Sequence, residues 1–454
     1  MRSGPRKPRI VPRSSNHTGE KEMNHKRLLP QMIGLTLVVV LSACRPPQPT
    51  ARSAPALPTA TPETRQVEQT AQGTDRALFV EVTNTHLPTS DLQGFSMDAR
   101  PVDVDGDGDL DVVIANEYRP NILLLNDGEG HFTNVSAGQL PQVNHDSEDV
   151  GIGDLDSDGD PDIVVVSEDD QVNELYLNNG QGFFTDAGER LPVTGISNAV
   201  VVADIDIDGD LDILIGNNGQ NVILINNGKG VFTDDTAQRL PALSDVTQDI
   251  ELGDVDGDGD LDLLVGNEDD NRLLLNDGRG FFVDVSQQRL PLREAAEETR
   301  EADFGDVDGD GDPDILFANV RLFVAEAVPR NRLLINDGRG FFTDETAQRL
   351  PEDQDNSFDG DFVDIDDDGD LDIITANLDD ISGRRFDTPY RPYVNNGEGV
   401  FEESTKGVFP GGRTGNGLDI EAADFSGDGR IDLYLASRGG PDRLLFTGPS
   451  HADD

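Results

Sequence analysis

The chain is 454 residues long and strongly acidic, with 35 Lys plus Arg against 89 Asp plus Glu for a net charge of −54. A surface of that sign repels phosphate backbones, which excludes nucleic acid as a partner and favours bound cations or basic partners. The single cysteine, Cys44, rules out an internal disulfide framework and any multi-cysteine metal site, while regular Val, Ile and Leu runs and 48 Gly at ordered spacing argue against a disordered chain.

The first 44 residues are basic and contain one apolar run, residues 33–41, preceded by Lys26 and Arg27. The run is much shorter than the ~20 helical residues needed to cross a hydrocarbon core of ~30 Å, so it reads as the h-region of a secretory signal. Leu41-Ser42-Ala43-Cys44 resembles the bacterial lipobox, which implies that Cys44 is acylated and becomes the mature N-terminus. Met23 is an alternative start that gives a signal of ordinary length. Arg45 rather than Asp follows the cysteine, which in Gram-negative lipoproteins implies sorting to the outer membrane. The expected location is therefore the cell envelope, lipid-anchored at the outer membrane or cell surface. Residues 45–76 are rich in Pro, Ala, Thr, Arg and Gln and predict an extended tether.

Beyond the tether the chain repeats, and its strongest element is an aspartate loop that occurs seven times. The first copy carries Asp103, Asp105, Asp107, Asp109 and Asp111; the second Asp154, Asp156, Asp158, Asp160 and Asp162; the third Asp204, Asp206, Asp208, Asp210 and Asp212. The fourth carries Asp254, Asp256, Asp258, Asp260 and Asp262; the fifth Asp306, Asp308, Asp310, Asp312 and Asp314; the sixth Asp364, Asp366, Asp368, Asp370 and Asp372. The seventh departs from the pattern, with Asp424, Ser426, Asp428, Arg430 and Asp432. A period of about 50–60 residues points to a propeller, solenoid or array.

Each period reads as strand, loop, strand, turn, strand, Asn-Gly or Asp-Gly hairpin, strand, as at 200–203, 211–216, 222–225 and 231–234. Four antiparallel strands per period without helical periodicity predict an all-β fold, a seven-bladed β-propeller of four-stranded blades over residues 77–447, with a short tail at 448–454. The seventh period stops after its third strand, 443–446. Its missing fourth stands at the front, where residues 78–83 and the following Leu87-Pro88 match residues 281–286 and Leu290-Pro291. The N-terminal strand is thus expected to complete the last blade and close the ring, which removes free sheet edges.

The loops suit calcium, a hard ion that takes six to eight oxygens at ~2.3–2.6 Å. Asp at positions one, three, five and nine supplies carboxylates, and Gly at position six lets the chain turn so that the carbonyl of position seven faces the ion. One calcium per blade is the expected cofactor, weakest in the seventh loop because of Ser426. An EF-hand would place a bidentate Glu at position twelve. That position holds Ile114, Val165, Ile215, Val265, Phe317, Thr375 or Leu435, and strands flank the loop, so EF-hand and dockerin both fail. A nine-residue Asp loop between strands, followed by Asn-x-Leu-Leu-Leu-Asn-Asp-Gly-x-Gly-x-Phe as from Asn271, resembles the FG-GAP/VCBS repeat family, whose best-known members are the integrin α-chain propellers. The resemblance covers residues 78–446 and implies the propeller and one calcium per blade. Because the family spans adhesion, lectins and some lyases, it leaves function open.

Five residues before each loop stand Asp98, Asp149, Ala199, Asp249, Glu301, Asp359 and Asp419, with Glu251, Asp303, Asp361 and Glu421 two residues further on the same strand face. In a propeller these would line the channel, on the face away from the calcium loops. Two readings stand: hydrogen bonds to backbone at the start of the strand, which we favour, or a channel-mouth ring that funnels a cation or basic ligand. Two longer connections, 320–330 and 378–391, should project from that same face, with Arg384, Arg385, Phe386, Tyr390 and Tyr393 as its chemistry. No Gly-x-Ser-x-Gly, His-Glu-x-x-His or phosphate loop occurs, and His86, His131 and His145 read as surface residues, so no catalytic residue and no enzyme activity is expected. The expected function is a lipid-anchored surface scaffold that recognises a protein or glycan on the face opposite the calcium loops. The alternatives are a lectin-like propeller, against which the absence of Trp counts, and a polysaccharide lyase or other propeller enzyme.

Overall fold

The computed structural model of the protein describes residues 77–448 apart from 93, 169–170, 294, 353, 379–388 and 411–415. The signal segment, Cys44, the tether, the end of the tail and Arg384, Arg385 and Phe386 lie outside the described residues.

Each aspartate loop joins the first two strands of a four-stranded antiparallel unit. In the fourth repeat these strands are Asp245–Gly253, Asp262–Asn267, Arg272–Leu275 and Val283–Asp284, with Ile250 opposite Val265, Leu264 opposite Leu273 and Leu274 opposite Asp284. The second strand is apolar on both faces and wholly buried, as in Asp162–Ser167 and Asp314–Asn319, because sheets pack against it from both sides. The fourth is only two or three residues long and mostly exposed, which keeps the outer edge from templating further pairing.

The apolar core lies between successive units. Val113 and Leu123 of the first repeat pack with Ile163, Val165 and Tyr176 of the second. Ile374 and Tyr390 of the sixth pack with Ile420, Leu433 and Leu435 of the seventh. Phe425, Tyr434 and Leu444 of the seventh share a cluster with Val112, Ile114 and Leu124 of the first. Tyr390 and Tyr393 therefore belong to the core and not to a surface patch: both are buried, and the Tyr390 hydroxyl donates to the carbonyl of Ala436 at 2.6 Å.

Phe79–Glu81 lies on the edge of the last unit, antiparallel to Arg443–Thr447, with Phe79 opposite Thr447 and Glu81 opposite Leu445. Arg443 holds Glu81 through two bonds of 3.0 and 2.9 Å, and Phe79 is 1% exposed against Phe409. A helical turn follows the fourth strand in each repeat, as in Thr236–Arg239 and Ser286–Arg289. These turns were not expected from the sequence pattern, because four residues barely complete one turn of 3.6 and carry no readable period.

Deleting residues 78–83 should strip Phe79 from the core, a loss of about 3–5 kcal/mol for a buried aromatic, and expose the edge of Arg443–Thr447 to pairing with other chains. Thermal unfolding with light scattering should show a lower transition and aggregation, whereas deletion of 45–70 should change neither. Equal stability of the two truncations would contradict this account of the edge.

Candidate metal centres and the central cavity

Within a loop, backbone amides set the carboxylates in place. Asp103 accepts the N–H groups of Gly106 and Gly108 at 2.8 and 3.0 Å, and Asp107 accepts that of Asp109 at 3.0 Å. The ninth residue, Asp111, is buried at the head of the second strand. One of its oxygens accepts from Val104 at 3.1 Å and the other from Asn126, in the hairpin, at 2.9 Å. Ligand-capable oxygens of Asp103, Asp105 and Asp111 lie within 4.8 Å of one another, a grouping that could hold a metal ion; those of Asp154, Asp156 and Asp162 and of Asp204, Asp206 and Asp212 do the same. The seventh-position side chains turn the other way, towards the first hairpin glycine. A Cβ on Gly128 would come 2.5 Å from Asp109, and one on Gly278 would come 2.6 Å from Asp260. Position seven therefore has only its carbonyl to offer. In the last loop Arg430 pairs with Asp428 and donates to the carbonyl of Gly448.

Burial pushes the carboxyls of Asp111, Asp162, Asp212, Asp262, Asp314 and Asp372 up from 3.8 to about 7, against the pull of the two amides each one accepts. At the third position Oδ1 of Asp105, Asp156, Asp206, Asp256 and Asp308 is buried without a hydrogen-bond partner. An unmet buried carboxylate oxygen is costly, and a hard cation among these oxygens would satisfy it; the all-oxygen donor set fits that class of ion.

The same hairpins cross to the preceding repeat. The side-chain amide of Asn178 donates to the carbonyl of Val104 at 2.8 Å, Asn276 to Ile205 at 3.0 Å, Asn336 to Val255 at 2.9 Å and Asn126 to Phe425 at 2.9 Å. Each asparagine thus joins its own ninth aspartate to the loop of its neighbour.

On the first strands a bulge interrupts the register in every repeat, between Ser96 and Asp98, Ser147 and Asp149, Ser197 and Ala199, Thr247 and Asp249, Thr299 and Glu301, Ser357 and Asp359, and Gly417 and Asp419. A bulge re-aims side chains. Here the acid after it reaches the backbone of the next repeat in four cases: Asp98 accepts from Val150 at 3.0 Å, Asp149 from Val200 at 2.6 Å, Asp249 from Ala302 at 3.1 Å and Asp419 from Ala99 at 3.0 Å, whereas Oδ2 of Asp359 is buried without a partner. In the fifth repeat Asp303 does this for Phe362 at 3.0 Å in place of Glu301. These bonds go mainly to the backbone of the neighbouring strand, not to the start of the acid's own strand. Arg100 pairs with Asp98, Asp149 and Glu421 at 3.3, 3.5 and 3.1 Å. Burial drives Asp98, Asp249, Glu301, Asp359, Asp361 and Glu421 well above the usual carboxylate range, and Asp419 to about 8.

The bulged residues themselves, Met97, Glu148, Asn198, Gln248, Arg300, Phe358 and Leu418, line one cavity of about 220 Å³ together with these acids. Strand alternation gave no hint of them; the signal was only that each precedes the acid. From the connection at 320–330, Leu322 and Phe323 reach the cavity, tied down by their amides to the carboxylate of Glu298 at 2.8 and 3.0 Å. Phe323 is 73% exposed and lies 5.1 Å from the Arg300 guanidinium.

A family model described as FG-GAP-like repeat matches residues 103–165, 154–215, 204–265, 254–317 and 378–435. No relative is found among curated proteins. Among solved structures, BBS1N in complex with ARL6DN is similar with a TM-score of 0.53 at 11% identity, covering 83% of this chain and 98% of that one. An Agrocybe aegerita lectin specific for non-reducing terminal N-acetylglucosamine gives a TM-score of 0.40 at 18% identity, over 68% of this chain and 79% of that one. The matched repeats take in more than half of the sequence, and the chain belongs to the FG-GAP-like repeat family, with an all-β fold of the β-propeller kind.

Proposed function

We propose that the protein is a calcium-stiffened recognition scaffold, a closed seven-bladed propeller held at the cell surface, with one calcium in each loop on one face and its ligand at the cavity mouth on the other. Closure is supported by the pairing of Phe79–Glu81 with Arg443–Thr447, by the core shared between the seventh and first repeats, and by the first strands of all repeats lining one cavity. Calcium is supported by the orphaned third-position oxygens and the all-oxygen donor set. When bound, it would be held by the carboxylates of positions one, three, five and nine and the carbonyl of position seven.

The observation that carries recognition is the ring of bulged residues. The loops are almost identical from repeat to repeat, yet the same backbone feature presents Met, Glu, Asn, Gln, Arg, Phe and Leu to the cavity. Side chains that vary on a constant frame are how a rigid scaffold carries specificity. Met97, Leu418, Phe358 and Leu322 make one side of the mouth apolar, and Glu148, Asn198 and Gln248 make the other polar. A protein segment with an apolar and a cationic side fits such a mouth, and no catalytic step is part of this reading.

Parallel arrays of glycans and of envelope proteins, probed with the parent and with Phe323→Ser, test it. The ligand class that binds should bind the variant about tenfold more weakly at unchanged melting temperature, as expected for loss of an exposed aromatic anchor. Full affinity in Phe323→Ser and in Gln248→Ala would remove the mouth as the site. We also infer from the lipobox-like Leu41-Ser42-Ala43-Cys44 that Cys44 carries the membrane anchor. Cys44→Ser should then pass from the detergent phase to the soluble fraction, and unchanged detergent partition would overturn the anchor.

A further inference from the structure

The third-position aspartates have a neighbour that the loop pattern does not reveal. In four repeats the helical turn after the fourth strand ends in an arginine before Leu-Pro: Arg190, Arg239, Arg289 and Arg349. Nη2 of Arg239 and of Arg349 donates to Oδ2 of Asp206 and of Asp308, both at 3.0 Å, and Nη2 of Arg289 stands 3.7 Å from Oδ2 of Asp256. The Arg190 guanidinium acts on the Asp156 carboxyl only through its charge. The other amino group of each guanidinium donates to a backbone carbonyl in the hairpin of the next repeat: Arg190 to Lys229 at 3.2 Å, Arg239 to Arg279, Arg289 to Arg339, and Arg349 to Glu398 at 2.8 Å. The approach is close enough to require glycine there, since a Cβ on Gly340 would come 2.8 Å from Arg289.

Each of those hairpins in turn bonds the ninth aspartate of its own loop. Asn226 donates its amide to Asp212 at 2.8 Å, Asn276 to Asp262 at 2.9 Å, Asn336 to Asp314 at 2.8 Å and Asn395 to Asp372 at 2.7 Å. A relay results, from the third aspartate of one loop through arginine and hairpin to the ninth aspartate of the next; it is made of direct contacts from the third loop to the sixth, and the second loop joins it through the charge of Arg190.

The other repeats supply the contrast. Gln139 stands in the arginine's place in the first and reaches the carbonyl of Gly182 at 3.0 Å, but it brings no charge to Asp105. Val408 stands there in the sixth and His86 in the seventh. Without an arginine, Asp105 and Asp366 take a hydrogen bond from the backbone of Asp107 and Asp368 in their own loops.

We propose that Arg190, Arg239, Arg289 and Arg349 are positioning residues that couple cation binding in one repeat to the packing of the next, so that loops two to six fill as one linked series while loops one and seven stand outside it. The inference rests on the calcium reading above. An ion on the free Oδ1 fixes the carboxylate, the carboxylate fixes the guanidinium, and the guanidinium holds the neighbouring hairpin; by reciprocity an ordered hairpin favours the next ion.

Calcium titration of the full chain, with amide hydrogen exchange in chelator and in saturating calcium, tests the coupling. In the parent, calcium should slow exchange in the hairpins at 226–232, 276–282, 336–342 and 395–401. Arg239→Gln should cut the calcium-dependent protection at 276–282 about tenfold, the scale of losing a group that orients a metal ligand, and leave it intact at 336–342. Gln139→Arg, on the exposed turn of the first repeat, should create such protection at 178–184 and keeps the test open if Arg239→Gln does not fold. A merely structural arginine would speed exchange equally with and without calcium, and that result, or no gain in Gln139→Arg, overturns the coupling while the calcium reading stands. A parent that binds no calcium overturns both.

Discussion

A carboxylate taken out of water has to be met by donors or by a cation, and this chain places one at the head of every buried second strand. Asp111 and its six equivalents are almost wholly enclosed, and their oxygens are where loop and hairpin meet. Backbone amides supply part of what they need, and in five loops Oδ1 of the third-position aspartate beside them has no hydrogen-bond partner. Two consequences follow from this one constraint. The loop cannot relax without uncovering the strand beneath it, and the hairpin asparagine bound to the same aspartate also grips the preceding repeat. Burial of charge in one repeat thereby becomes adhesion between repeats.

What was legible in the sequence is what is local in the chain. The loop, with its carboxylates two residues apart, the Asn-Gly and Asp-Gly hairpins and the complementary ends all declare themselves within short windows, and Phe79–Glu81 pairs with Arg443–Thr447. What stayed hidden is contact between repeats. Asp98 finds Val150, 52 residues away, and Arg349 finds Glu398, 49 away, and neither pairing leaves a mark at either position alone. The bulge was invisible for another reason: it breaks the alternation by which strand faces are read. The length of the connection at 378–391 places Tyr390 on the surface, whereas in the structure the strand Tyr390–Asn395 already belongs to the core.

The two ends of the first strand do different work. Towards the loops, repeats are nearly interchangeable and the chemistry is that of holding the fold together. At the bulges, each repeat contributes a different side chain to one cavity, over a layer of acids several of which are spent on cross-repeat backbone bonds and on Arg100. A frame so regular leaves the mouth free to vary without cost to the core.

Melting temperature followed against pH, in chelator and in excess calcium, tests the central role of the buried carboxylates most directly. Without an ion, six ninth-position carboxyls are raised from 3.8 to about 7 by burial, so between those values the folded state binds more protons than the unfolded chain and stability falls as pH rises. Calcium needs the same groups ionised, so its stabilisation grows over that window. The chelated protein should melt lower at pH 8 than at pH 5, and the order should reverse in calcium; identical profiles with and without calcium would contradict the account.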